Sequence, residues 1–228
     1  MGITAENLAN KYDISRDAQD EFAVNSHKKA AAAAQGGKFK DEIVPIGDVT
    51  EDGTIRADSS KEALGGLNPA FDKDGSVTAG TSSPLTDGAT AVLICSEEYA
   101  DKHKLPKLAR IKSVAVAGCN AEIMGIGPVP ATKKALERAG VKIEDIDLVE
   151  LNEAFAAQSL SVLKELGVDE KKVNIDGGAI ALGHPLGESG ARITGKLASL
   201  MKREKAKLGL ATMCIGGGQG TAIILEAI

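Results

Sequence analysis

From residue 89 onward, short apolar runs alternate with segments of helical periodicity, and few architectures accept that order. "ATAVLIC" (89–95) is continuously apolar, like a strand buried on both faces. "SEEYADKHK" follows as a short helix. "ARIKSVAVAG" (109–118) predicts a strand, and "ATKKALERAG" (131–140) a helix with Gly140 just past its end. "IDLVEL" (146–151) predicts a strand, "EAFAAQSLSVLKELG" (153–167) a helix ended by Gly167, and "KVNI" (172–175) another strand. After a glycine-rich loop, Ile193, Leu197, Leu200 and Met201 share one helical face. "LGLATMC" (208–214) and "TAIILEAI" (221–228) predict strands joined by "IGGGQG" as a hairpin. Strand and helix in turn predict a layered α/β domain with helices on the sheet faces.

The first 88 residues read differently. Residues 3 to 35 look helical, with Ser15 as N-cap and Ala18, Phe22, Ala30 and Ala33 spaced for one face. Gly36-Gly37 stops that helix. Residues 38–88 are rich in Asp, Gly, Ser and Thr and predict an irregular region with little core of its own. With no Trp and 3% aromatics, the core must be built from Val, Ile, Leu and Ala.

Charge and cysteine usage exclude several functions. A net charge of -5 gives no support for binding nucleic acid or an anionic membrane. No apolar run approaches a membrane span, and the residues after Met1 show no secretory pattern. Cys95, Cys119 and Cys214 are far apart and form no CxxC, which predicts free thiols and a cytoplasmic protein. Cys95 and Cys119 lie in apolar stretches and are assigned to the core. Three histidines without close spacing predict no metal site. His27 and His103, in charged helical segments, are expected to be solvated.

In open α/β sheets, chemistry collects at the carboxyl ends of strands. Three loops meet that description: Asn152-Glu153 after strand 146–151, His184 after strand 172–175, and Cys214 ending strand 208–214. His184 sits among glycines at 177, 178, 183, 187 and 190 and is followed by Pro185, which favours an extended backbone. So held, it serves either as a base near neutral pH or as a histidine satisfying its own loop. Cys214 is a nucleophile or proton donor beside a turn able to aim N–H groups at an oxyanion, or it is a buried strand cysteine. Asn152 and Glu153 suit a helix start, or Asn152 holds a water or substrate oxygen.

Taken together, "NEAFAAQ", "GGAIALGHPLGESGAR" and "CIGGGQG", in this order, resemble the C-terminal signatures of the thiolase family. "MGITAENLANKYDISRDAQDEFA" and "NPAFDKDGSVTAGTSSPLTDGATAVL" resemble the two ends of its loop domain, so the likeness spans essentially the whole chain. The wording of "TAGTSSPLTDGA" and "LNEAFAAQSLSVLKELG" leans toward the degradative 3-ketoacyl-CoA thiolases, the biosynthetic acetoacetyl-CoA thiolases tending to differ at the first of these. The resemblance implies a thiolase-like layered α/β fold, incomplete relative to the full αβαβα architecture. It divides the chain into a loop domain (1–86), a strand and helix completing an N-terminal half (87–104) and a C-terminal thiolase domain (105–228).

The resemblance also implies roles. His184 activates the thiol nucleophile and helps form an oxyanion hole, Asn152 holds the water completing it, Cys214 exchanges a proton with the α-carbon, and the Gly216 N–H serves a second oxyanion hole. Arg56 lies near the phosphates and nucleotide of coenzyme A, with Ala79, Gly80 and Ser83 along the pantetheine. Met1, Phe71, Met124, Ala154 and Phe155 line the acyl and pantetheine channel. Coenzyme A is a substrate, and no cofactor is implied.

Two departures stand out. None of the three cysteines matches the motif of the family's nucleophilic cysteine, so this chain alone is expected to lack thiolase activity. Glu188 replaces a small residue, and its carboxylate either raises the pKa of His184 or points to solvent. A run such as "ATAVLIC" without its neighbours leaves apolar surface, so oligomerisation or association with an N-terminal thiolase segment is expected. The rival readings are an acyl-CoA-binding module, a structural half of a split enzyme and, more weakly, a ketoacyl synthase.

Overall fold

The computed structural model describes all 228 residues. The first long helical stretch divides in two. α1 (Gly2–Tyr12) stops where Asp13 turns left-handed at φ 54°, a conformation that Asp tolerates better than most residues. α2 (Arg16–Gln35) then starts at Ser15, whose Oγ accepts the Ala18 N–H at 3.2 Å. The cap is as expected, but it opens a second helix. Residues 38–88 contain only α3 (Lys61–Gly65) and a 3-10 turn at Ala79–Thr81, and bury just Phe39, Leu64 and Val77 among their apolar side chains.

The C-terminal half forms one four-stranded sheet. β1 (Arg110–Gly118), β2 (Leu148–Leu151), β3 (Leu208–Ile215) and β4 (Gln219–Glu226) lie in the order β1-β4-β3-β2. β2 runs parallel to β3, while β3–β4 and β4–β1 are antiparallel. The β3–β4 hairpin forms as expected from its glycines, with Gly217 and Gly218 at φ 86° and 98°. Two more helices precede the second α/β turn: α4 (Glu97–Lys102), outside the sheet, and α5 (Pro128–Ala139).

Side-chain alternation in the strands sets two cores. On one face, α5 and α6 (Ala156–Leu166) lay Val129, Ala135, Leu136 and Val162 on Val149, Leu151, Leu210, Ala222 and Ile224. On the other, after the short α7 (Ala179–Leu182), α8 (Ser189–Glu204) lays Ile193, Leu197, Leu200 and Met201 on Leu148, Ala211 and Leu225. The spacing of these four α8 residues makes a single apolar stripe. Leu148 and Glu150 therefore share the α8 face of β2. α8 does not cover the whole of that face: β1 buries Ser113 and Ala115 but leaves Val114 and Val116 exposed. The loop region is docked on this frame, with α1 against α6, and α2 against α6 and α7.

Several expectations fail for a common reason, the lack or presence of a partner. "ATAVLIC" forms no strand, and Val92, Leu93 and Ile94 are 40%, 72% and 68% exposed. A strand needs a neighbour's N–H and C=O groups, and no strand of this chain runs beside it. Cys95 is accordingly exposed, and Cys119 is half-buried. "KVNI" makes one parallel bridge, Val173 to Val149. Asn174 then turns to φ 44°, and its side-chain amide takes over the pairing, accepting the Leu151 N–H at 2.9 Å and donating to the Leu151 carbonyl at 2.8 Å. His27 is buried rather than solvated, because its Nδ1 accepts the Arg56 N–H at 3.2 Å.

Candidate active site

Asn152 continues the β2 ladder by donating its N–H to the Thr212 carbonyl at 3.1 Å, which fixes it beside β3 with its side chain fully buried. Its Nδ2 lies 3.3 Å from His184 Nε2. His184 comes from the loop between α7 and α8. Its N–H donates to Thr86 Oγ1 at 2.8 Å, and its Nδ1 lies 2.7 Å from Ser189 Oγ. Ser189 donates its single hydroxyl proton to the Pro185 carbonyl at 3.0 Å. That leaves Ser189 as acceptor, so the network assigns the proton of the imidazole to Nδ1. Nε2 then carries a lone pair and accepts from Asn152.

The electrostatics favour the same neutral form. Burial pushes the His184 pKa below its ordinary value, and Arg192 pushes it further down against Glu188. Glu188 does act upward on this pKa, as expected, but burial and Arg192 outweigh it. Its carboxylate does not point to solvent: it accepts the Thr90 hydroxyl at 2.7 Å and lies 3.8 Å from Arg192. Thr86 and Thr90 thus strap one chain segment onto the histidine loop. Gly183, at φ +89°, belongs to that strap, since a Cβ there would fall 2.5 Å from Thr86 Oγ1. This glycine makes room for neighbouring chain, not for a ligand.

Cys214, next to last in β3, lies opposite Gly220, is 5% exposed and packs on Met124 and Ala154. Burial pushes its thiol up to about 11, and the nearby Cys119 acts in the same direction. At neutral pH it is a thiol, able to donate a proton and poor as a standing nucleophile. Gly216, two residues on, lies in the exposed hairpin turn with open space where a side chain would be.

The residues expected along the ligand channel fall into two groups. Phe71 meets Phe155 edge-on at 5.8 Å, and its ring lies against Gly2, next to the exposed Met1. Phe155 also packs against Met124, Ala154 and Cys214. Ser83 donates both its N–H and its hydroxyl to the Ala154 carbonyl, each at 3.1 Å. Ala79 and Gly80 lie in the 3-10 turn, with Gly80 pressed by Leu64 and Leu67. Arg56 belongs elsewhere, supported by His27 on α2.

Three participants were not singled out from sequence: Thr86, Ser189 and Arg192. Glu153, read as a helix-dipole residue, has another job. α6 begins only at Ala156, and Glu153 instead accepts Ser26 Oγ at 2.6 Å, Asn174 Nδ2 at 2.7 Å and the Ile180 N–H at 3.1 Å. Burial raises its pKa against those three donors. It pins α2, the Asn174 turn and α7 to the end of β2, and so positions Asn152 and the histidine loop. The cleft of about 300 Å³ beside Ile14 and Leu163 and that of about 330 Å³ beside Phe22 and Lys29 do not involve Asn152, His184 or Cys214.

Comparison with known proteins identifies the family and the fold. The family pattern described as thiolase, C-terminal domain, matches residues 105–227, and that described as thiolase, N-terminal domain, matches residues 1–98. A 3-ketoacyl-CoA thiolase of Marinobacter nauticus is 58% identical over 241 residues, covering 100% of this chain and 62% of the relative. An acetyl-CoA acetyltransferase of Escherichia coli is 55% identical over 236 residues, covering 100% of this chain and 60% of the relative. The chain thus spans about 60% of the length of these curated relatives. The crystal structure of human mitochondrial 3-ketoacyl-CoA thiolase in complex with CoA superposes with a TM-score of 0.98 at 48% identity, over 100% of this chain and 59% of that one. The Bacillus anthracis acetyl-CoA acetyltransferase gives 0.96 at 49%, over 100% of this chain and 60% of that one. The fold is the thiolase α/β fold, and the chain belongs to the thiolase family.

Proposed function

We propose that this chain carries the thioester-handling part of a thiolase, an acyltransferase that cleaves a 3-ketoacyl-CoA with CoA or runs the reverse Claisen condensation. The observation that carries the reading is the Asn152–His184 contact at 3.3 Å, with Nε2 left unprotonated as the basic atom. His184 takes the thiol proton of the incoming nucleophile, and the resulting Nε2–H joins an Asn152-held water at the thioester oxyanion. Cys214, held as a thiol by burial, returns a proton to the α-carbon. The Gly216 N–H serves the second oxyanion. Phe71, Met124, Ala154 and Phe155 with Met1 line the acyl and pantetheine path, Ala79, Gly80 and Ser83 flank it, and Arg56 meets the phosphates. Coenzyme A is a substrate here, and the reaction needs no cofactor.

Thiolysis also requires a cysteine nucleophile, and none of Cys95, Cys119 and Cys214 matches the family's motif for it. We therefore propose that the chain alone does not turn over and that it works as an oligomer or with an N-terminal thiolase segment, in cytoplasmic fatty acid metabolism. The test is acetoacetyl-CoA thiolysis by the purified chain: no turnover is expected, and turnover at ordinary thiolase rates would refute the missing-nucleophile argument. The same missing nucleophile favours a second reading, a non-catalytic acyl-CoA-binding module. Calorimetric binding of CoA that persists while no added N-terminal segment restores turnover would select it.

A further inference from the structure

β2 and α8 face each other across a ladder of polar side chains. The first rung is Asn152, His184 and Ser189, joined at 3.3 and 2.7 Å. The third is Lys196, whose Nζ lies 2.8 Å from Asp176 and 2.9 Å from Glu42. Between them stand Glu150, two residues before Asn152, and Arg192, three after Ser189 and four before Lys196, on the same faces. No hydrogen bond joins the members of this middle rung: Glu150 Oε1 and Arg192 Nε are buried with no hydrogen-bond partner in the chain, as are the neighbouring Asn152 Oδ1 and Glu188 Oε2. Glu188 approaches that Nε only to 3.8 Å.

We propose that Arg192 and Glu150 are a positioning pair for His184: the guanidinium, not neutralised by a bonded carboxylate, holds the imidazole neutral with Nε2 unprotonated and facing Asn152. The inference deepens the thiolase reading and rests on it for its catalytic meaning. A bonded carboxylate partner would cancel most of the charge on Arg192. Glu150 does not act as one, because burial pushes its carboxyl up to about 8, against the pull of Arg192 and Lys196 and with Glu153 and Asp176 adding to the rise. The charged groups around His184 are Arg192 and Glu188 of the α8 end; the groups it meets from β2 and the 86–90 strap, Asn152 and Thr86, are neutral. The sign is fixed: a cation beside the ring lowers its proton affinity, and ionisation of Glu150 above pH 8 weakens that effect.

The experiment is an NMR titration of the imidazole nitrogens in the 228-residue chain, with the His184 signals assigned by their loss in His184→Asn. The wild type is expected to titrate below the ordinary histidine value, with a second, smaller inflection near pH 8 from Glu150. Arg192→Gln should raise the His184 midpoint by about 1 unit, and Arg192→Lys, which keeps the charge, should restore it. Glu150→Gln should abolish the upper inflection. A midpoint unmoved by Arg192→Gln, or an upper inflection surviving in Glu150→Gln, overturns the proposal. Should Arg192→Gln fail to fold, the wild type and Glu150→Gln decide: an inflection present in the first and lost in the second supports the pair, and its absence from the wild type overturns it. No substrate enters the measurement, so failure of the thiolase reading would leave these titrations unchanged.

Discussion

"ATAVLIC" and "LGLATMC" are alike in sequence: each is apolar, rich in β-branched or aliphatic residues, and ends in a cysteine. Their fates are opposite. The second is β3, paired on both edges and covered on both faces, with Leu210 under α5 and α6 and Ala211 under α8. The first has no strand beside it and, apart from the Thr90 bond to Glu188 and the edge of Val92 against Gly195, leaves its side chains in solvent. Apolar composition states what a segment gains by burial; it does not supply the neighbours that bury it. One stretch completes a core within these 228 residues, and the other remains an exposed apolar strip.

The contrast has graded consequences. Proline at Ala211 removes a ladder N–H in the middle of the sheet and should prevent folding, whereas Val92→Pro should leave the circular dichroism spectrum and the unfolding midpoint unchanged. A folded Ala211→Pro would show that β3 is not the spine of this domain. Next in size, Leu210→Ala removes a fully buried side chain and should lower unfolding free energy by about 3 kcal/mol in urea titrations. Leu93→Ala should stay within about 0.5 kcal/mol of wild type; a larger loss would place Leu93 in a core.

Thiol labelling resolves the two cysteines directly. Cys95, exposed, should alkylate rapidly at pH 7.5, and Cys214, buried with its thiol pushed up to about 11, should wait for unfolding. Equal rates would mean that the end of β3 is open. The smallest effect concerns the cover over β3. Burial works against ionised Asp176, but hydrogen bonds from Arg203 and Lys196 outweigh it and hold the carboxyl down to about 2. A depressed carboxyl pKa contributes stability above the unfolded value and loses it as pH falls through the folded one. Between about pH 4 and pH 2, α8 should therefore loosen, with amide exchange rising in α8 and β3 while residues 89–95 exchange rapidly throughout.

What was legible in the sequence follows the same division. Strands and helices that find partners inside the chain, such as 208–214 and the α8 stripe, are encoded by local periodicity. Residues 89–95 and "KVNI" were misread because pairing is a property of the neighbour. Among site residues, Asn152, His184 and Cys214 stood out through their place after strands and their glycine context. Ser189 and Thr86 did not, because a hydroxyl that orients a ring looks like any other until the loops are folded together. His27 looked solvated for the related reason that its partner, the Arg56 N–H, comes from a distant irregular stretch.

The most direct test of the site follows deuterium exchange into the acetyl methyl group of acetyl-CoA in D2O, by NMR, in the presence of the chain. Under the proposed roles that step runs the protonation of the α-carbon by Cys214 in reverse, with Asn152 and His184 at the thioester oxygen, and needs no separate nucleophile. Exchange above the buffer rate, lost in Cys214→Ala and His184→Ala variants that retain the wild-type fold, is the predicted result. Exchange no faster than buffer, or equal in the variants, would contradict a shared thioester site.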